Sequence, residues 1–336
     1  MTLVKALSNL ISNILLIVSA CLVIFAIGET GVRTYTTMNT EGGSFFRENR
    51  FISPWFTSYD APPPHFDDSG NAYFRHRTVP VSQTKSEALV RIVAVGGSTT
   101  ANERPFAIDG RDYAKALEAR LNAASIGPRY EVLNAGGDAF STAHSLVNIV
   151  FRLLEFSPDA IILMHNINDL SANYFQDGAG PDYANKYLRE YYLNPQLQGS
   201  LSVRGLLVQS RMLALFGMGW LPRGAINIEN DITAGLGYFA RNLTMISAIC
   251  KQSGVDLIFL SQPNSFSFPN NSYKKEDFLK YNEKVKEIAA QTNTAFIDMH
   301  RKFGHSQEFF LDAFHFSPRG ISRFSEILFD ELKSIL

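Results

Sequence analysis

The chain has 336 residues, a formal net charge of −1, and 46% hydrophobic against 19% charged residues. A balance so near neutral excludes a protein that grips nucleic acid through a strongly basic surface, and the apolar content excludes a largely disordered chain. Two cysteines and seven scattered histidines, without Cys-x-x-Cys or His-Glu-x-x-His spacing, give no metal-site motif.

The first predicted element is an apolar helix. Residues 14–27 read ILLIVSACLVIFAI, and Leu7, Leu10 and Ile11 extend the run backwards. Together they approach the roughly 20 apolar residues that cross a bilayer. The reading is a cytoplasmic tail over 1–6 and a transmembrane anchor over 7–29, with Lys5 favouring an inside N-terminus and Arg33, Arg47 and Arg50 counting against it. A cleaved signal peptide and a lipoprotein signal at Cys21 compete with it. No Ala-x-Ala-like site follows Ile27, and the apolar run continues past Cys21.

Residues 30–88 show no regular periodicity, with turn and polyproline signals at Ser53-Pro54 and Ala61-Pro62-Pro63-Pro64. Interleaved aromatics (Phe45, Phe46, Phe51, Trp55, Phe56, Phe66, Tyr73, Phe74) predict a membrane-proximal arm that packs on the body of the protein. A separate partner-binding segment is the alternative.

From residue 89 strands and helices alternate. Strands are predicted over 91–95, 130–134, 159–164, 255–260 and 294–299, and helices over 113–124, 141–156, 232–250, 273–292 and 318–332. Short apolar strands between helices imply a parallel sheet covered on both faces, a three-layer α/β/α sandwich, with ligands outside the carboxyl ends of the strands. Residues 171–231 break the rhythm and read as an insertion near the site, where Tyr183, Tyr187, Tyr191 and Tyr192 serve packing or stack on sugar rings. Cys250 reads as a buried, apolar-like side chain.

Four strand ends carry polar blocks. They are Gly96-Gly97-Ser98-Thr99-Thr100, Gly136-Gly137-Asp138-Ala139, His165-Asn166-Ile167-Asn168-Asp169 and, near the end, Asp312-Ala313-Phe314-His315. A serine hydroxyl needs a base to become a nucleophile, the base needs a carboxylate to orient it, and a tetrahedral intermediate needs donors for its oxyanion. These blocks contain each of those groups.

In this order the blocks resemble the SGNH (GDSL-type) hydrolase superfamily, in its Gly-Gly-Ser-Thr branch, over about residues 89–336. The resemblance implies a flavodoxin-like catalytic domain, with Ser98 as nucleophile, His315 as base and Asp312 as orienting acid. The oxyanion donors would be the backbone N–H of Ser98, that of Ala139, and Asn168. Gly136 or Gly137 is the fallback for Ala139, which stands where the family has glycine. Asn166 likewise replaces a glycine. Asn166, His165 and Asp138 are candidates for substrate contact, with structural bonding for His165 and capping of the next helix for Asp138 as the plainer roles. No metal and no cofactor are implied.

The implied function is a serine-dependent ester hydrolase at the cytoplasmic membrane, its domain in the periplasm. By analogy with anchored relatives it would remove O-acyl, chiefly acetyl, groups from a glycan or envelope polysaccharide. Alternatives are an O-acetyltransferase, a lipid-acting esterase and a catalytically silent glycan-binding assembly subunit. Implied partners are the acylated glycan, the membrane and polysaccharide-assembly proteins, and no nucleic acid.

Overall fold

The computed structural model describes residues 2–38, 64–124, 128–174, 178–181, 183, 227–269 and 272–335. The first of these segments is a single helix, α1 (Thr2–Met38). Its stretch Ile11–Val32, 22 residues at a mean hydropathy of 2.5, is long and apolar enough to cross a membrane. Phe45, Phe46, Phe51, Trp55 and Phe56 lie outside the described residues.

The body begins with a two-residue hairpin that the sequence pattern does not announce, β1 (His65–Phe66) against β2 (Ala72–Tyr73). The Asp67 carboxylate shapes its turn, accepting the backbone N–H groups of Ser69 and Asn71 at 2.9 and 2.8 Å. Ala72 of β2, and Phe74 and Val81 just beyond it, are buried in the main core, and Phe74 meets Phe156 edge-on at 5.1 Å. This part of the arm region is therefore built into the body.

Five strands follow: β3 (Leu89–Gly96), β4 (Arg129–Asn134), β5 (Ala160–Met164), β6 (Asp256–Leu260) and β7 (Ala295–Ile297). They form one wholly parallel sheet in the order β4-β3-β5-β6-β7. The chain starts at β3, steps outward to β4, then crosses to β5 on the other side. The top of β3 is thus where the winding reverses, the place such sheets reserve for ligands.

Alternation along the strands feeds two cores, because successive side chains point to opposite faces. Ile92 and Ala94 pack with Leu117 and Leu121 of α4 (Tyr113–Ala124) and with Ile321, Phe324 and Leu328 of α10 (Pro318–Leu332). Val93 and Val95 face the other way, toward Phe239 and Leu243 of α7 (Thr233–Gln252) and Phe278 and Val285 of α8 (Lys275–Thr292). This is the three-layer α/β/α sandwich. Ser317 caps α10 by accepting the Gly320 N–H at 3.1 Å, with Pro318 in the first turn.

Two predicted elements are corrected. The helix over 141–156 is regular only as α5 (Thr142–Asn148), then widens into a π turn at Ile149–Leu153 and tightens into a 3₁₀ turn at Leu154–Phe156. The rephased spiral keeps Ile149, Leu153 and Phe156 all in the core. The strand over 294–299 stops at Ile297, because the Asp298 side chain caps α9 (Met299–Phe303) by accepting the Arg301 N–H. Of the four tyrosines in the insertion, Tyr183 is buried and the other three lie outside the described residues.

Candidate active site

The strand ends are in register. Gly96 pairs with Met164, Met164 with Leu260, and Leu260 with Ile297, so four strands finish on one row. From that row Gly97 turns the chain into the four-residue helix α2 (Ser98–Ala101), with Ser98 at its first position. The N–H groups of Thr100 and Ala101 close back on the Gly97 carbonyl at 2.9 and 3.0 Å.

Two glycines make this turn possible. A Cβ on Gly97 would lie 2.5 Å from Asn168 Nδ2, and one on Gly136 would lie 2.4 Å from the Ala101 backbone nitrogen. The serine turn is thus pressed between the loop after β4 and α6 (Ile167–Asn173), which carries Asn168 in its first turn. Asn168 Nδ2 donates to the Phe140 carbonyl at 3.0 Å.

The histidine facing Ser98 arrives from the far end of the chain. His315 Nε2 is 2.8 Å from Ser98 Oγ, across a separation of 217 residues. His315 Nδ1 lies 2.9 and 2.8 Å from the two carboxylate oxygens of Asp312. Asp312 Oδ1 also accepts the backbone N–H groups of Phe314 and His315, at 3.0 and 2.9 Å. Burial pushes the Asp312 carboxyl up, but hydrogen bonds from the His315 ring and from these two amides outweigh it. They hold the group well below the usual carboxylate range. An ionised Asp312 favours the tautomer with the proton on Nδ1, which leaves the Nε2 lone pair facing Ser98.

The sequence itself decides the family: residues 94–322 match the model of the GDSL-like lipase/acylhydrolase family. The chain belongs to that family. It is an ester-hydrolysing enzyme of the GDSL type. Among solved structures it is similar to a lipase/acylhydrolase from Enterococcus faecalis, at 18% identity and a TM-score of 0.47, over 74% of this chain and 97% of that one. It is also similar to the acetylxylan esterase Axe2 from Geobacillus stearothermophilus, at 15% identity and 0.47, over 72% and 94%. No curated protein matches the chain.

The remaining candidates of this GDSL-family chain fall into two groups. Asp138 and Ala139 are exposed in the turn beyond β4, and Ala139 takes a left-handed φ of 58°. The N–H of Gly136 already serves Asn134 Oδ1 at 2.9 Å, and that of Gly137 serves the Gly96 carbonyl at 3.0 Å. Both fallback amides are therefore committed to the fold. Asp138 does not cap α5. Ser141 does, in a reciprocal box with His144.

His165 and Asn166, by contrast, are buried at 3% and 1% exposure. His165 Nε2 meets Ser145 Oγ at 2.7 Å. Asn166 Nδ2 donates to the Phe278 carbonyl and to Asn282 Oδ1, both at 2.9 Å. Their side chains tie the end of β5 to neighbouring helices, so the structure does not bring them to Ser98 as it brings His315. Cys250 is buried, and burial pushes its thiol up to about 12.

Other groups around the site take no role from the sequence pattern, Asp169 of the third block among them. Gln262 links the Ile167 N–H to the Thr99 hydroxyl, at 3.1 and 3.3 Å. Asp169 is fully buried and accepts the Thr142 N–H with both oxygens at 3.1 Å, joining α6 to α5. Arg104, on α3 (Glu103–Asp109), donates to Asp312 Oδ2 at 2.6 Å. Among the described residues no group of three His, Cys, Asp or Glu side chains is placed to hold a metal ion.

Proposed function

We propose that Ser98 is the nucleophile of an acyl-transfer reaction to water, with His315 as general base and Asp312 as its orienting acid. The observation that carries this reading is the continuous run of hydrogen bonds from Ser98 Oγ through His315 to Asp312, with 2.8 Å at each end. As Ser98 Oγ attacks the acyl carbon, Nε2 takes its proton. The tetrahedral oxyanion is met by the backbone N–H of Ser98, that of Ala139, and Asn168 Nδ2. Collapse expels the alcohol oxygen, which takes the proton from Nε2. Water then repeats the sequence on the acyl-serine and returns the free hydroxyl.

The substrate we propose is an O-acylated, chiefly O-acetylated, glycan of the cell envelope. This part rests on analogy with anchored members of the superfamily. The same reading takes α1 as an uncleaved anchor in the cytoplasmic membrane, with the region around 30–88 as a membrane-proximal arm and 89–336 as a periplasmic catalytic domain. The length and hydropathy of Ile11–Val32 support the anchor.

The test is hydrolysis of p-nitrophenyl acetate and release of acetate from an acetylated polysaccharide, comparing the parent with Ser98→Ala. The variant is expected to lose several orders of magnitude in turnover. A parent that cleaves no ester and reacts with no serine-directed phosphonate, or a fully active Ser98→Ala, overturns the catalytic reading. Cleavage of the simple ester without the polysaccharide overturns the glycan reading alone.

A further inference from the structure

The segment that carries Ser98 touches the 312–315 loop twice. Ser98 Oγ meets His315, and six residues on, Arg104 Nη1 donates to Asp312 Oδ2 at 2.6 Å across 208 residues of chain. The two oxygens of Asp312 are held differently. The His315 ring nitrogen Nδ1 lies against both, and Oδ1 also accepts two amides of its own loop, from Phe314 and His315. Oδ2 accepts only side-chain donors, His315 Nδ1 at 2.8 Å and Arg104. An aspartate carboxylate turns easily about its last bond, since that torsion is broad and nearly two-fold. Beyond the His315 ring, which both oxygens share, the loop amides hold Oδ1 and the guanidinium holds Oδ2.

The position of Arg104 follows from an anchored turn. Asn102 ends α2 in the left-handed conformation, φ 57°. Its Nδ2 donates to the Thr99 carbonyl at 2.6 Å, and its Oδ1 accepts the Tyr113 N–H at 3.2 Å. Glu103, the next residue, is paired with Arg75 and lies 3.5 Å from His76 Nε2. Arg75 in turn donates from Nε to the Gly136 carbonyl at 2.9 Å. The backbone of Arg104 is therefore tied to the serine turn and, through Glu103 and Arg75, to the loop after β4, although its own side chain is 64% exposed. An ion pair this exposed contributes little to folding. Its consequence is geometric.

We propose that Arg104 is a positioning residue for the hydrolytic reaction: by holding Asp312 Oδ2 it fixes the carboxylate plane, and through it the His315 ring that faces Ser98. The proposal rests on the reading of Ser98, His315 and Asp312 as the catalytic set. Only one donor of the guanidinium is used, so a lysine can take over the contact in part, whereas alanine cannot.

The experiment uses the full chain in detergent with p-nitrophenyl acetate, a neutral substrate, and compares the parent, Arg104→Ala, Arg104→Lys and Ser98→Ala. For Arg104→Ala, kcat is expected to fall on the order of tenfold, with KM within about twofold and the unfolding midpoint within about 2 °C. Arg104→Lys recovers a substantial part of the lost kcat. An unchanged kcat in Arg104→Ala, a change confined to KM, or a lysine variant no better than alanine overturns the proposal. If Ser98→Ala is inactive and Arg104→Ala matches the parent, only this inference falls. An active Ser98→Ala removes the catalytic reading beneath it.

Discussion

The turn that presents Ser98 and the loop that presents His315 do related work by different means. The turn is backbone: Thr99, Thr100 and Ala101 are buried, the amides of Thr100 and Ala101 close on the Gly97 carbonyl, and Gly136 lies against the turn without a side chain. The loop stands on an aromatic base, with Phe310 and Phe316 packed around Phe303, but its polar tip is half-exposed, Asp312 by 37% and His315 by 27%. That tip is held by hydrogen bonds converging on one carboxylate. A nucleophile needs a fixed position, which close packing supplies. A base needs a fixed tautomer and ring plane, which a charged acceptor supplies. The first kind of support cannot be altered without strain on the fold; the second can be removed with little loss of stability.

The sharpest way to break this contrast is Asp312→Asn. With the charge gone and the tautomer preference lost, kcat is expected to fall by about 10⁴, while the unfolding midpoint moves by no more than about 3 °C. A variant that instead unfolds would place Asp312 with the packed elements. Asn168→Ala probes the packed turn from its α6 side, since Asn168 Nδ2 lies over Gly97. Steady-state kinetics should show kcat lower by about 10² to 10³ with KM nearly unchanged, the loss typical of one oxyanion donor. A parent-like kcat would remove Asn168 from that role.

Gly136→Ala tests the packed side. Its new methyl has no room against Ala101, so denaturant unfolding should report a loss of about 1–3 kcal/mol, with activity falling alongside. Retained stability would show that the turn yields more than its packing implies.

The smallest effect concerns His76, buried beside Asp112 at 2.6 Å and stacked on Phe106 at 3.7 Å. Burial disfavours its protonated form, but the hydrogen bond to Asp112 and the nearby Glu103 carboxylate outweigh this and raise its pKa. The neighbouring His76 ring, opposed by burial and aided by Arg75, draws Glu103 down to about 2. A raised histidine pKa gives stability that is complete below the unfolded value, about 6.5, and lost as pH rises through the folded one. The gap in melting midpoint between the parent and His76→Asn should therefore be wider near pH 5.5 than near pH 8.5. An equal gap at both would break the coupling.

Much of this architecture was legible because its determinants are local. The strands of the sheet are short apolar runs, and β3 and β5 run straight into polar blocks at the row where pairing stops, whereas the Asp312–His315 block follows β7 only after α9. Pro318 behind Ser317 marked the start of the last helix to the residue. The order of the blocks sufficed to nominate Ser98, His315 and Asp312, and these are the side chains the fold brings within hydrogen-bonding distance. What the sequence hid was set by distant partners. Arg104 looks like any exposed helical arginine until the 312–315 loop arrives beside it. Asn166 looks available, yet two α8 residues bury it. The early end of β7 depends on whether Asp298 caps a helix or continues a strand, and both are compatible with its neighbours.

The 217-residue gap between Ser98 and His315 has a temporal consequence. During synthesis Ser98, its glycine loops and most of the sheet emerge well before His315 exists. The loop bearing His315 is then seated by α10, which docks beside α4 near the beginning of the body. The pairing of Ser98 with His315 therefore belongs to the last step of assembly, and a half-made chain carries an unpaired serine. In refolding, labelling by a serine-directed phosphonate should appear with the docking of the C-terminal helix and not with formation of the sheet.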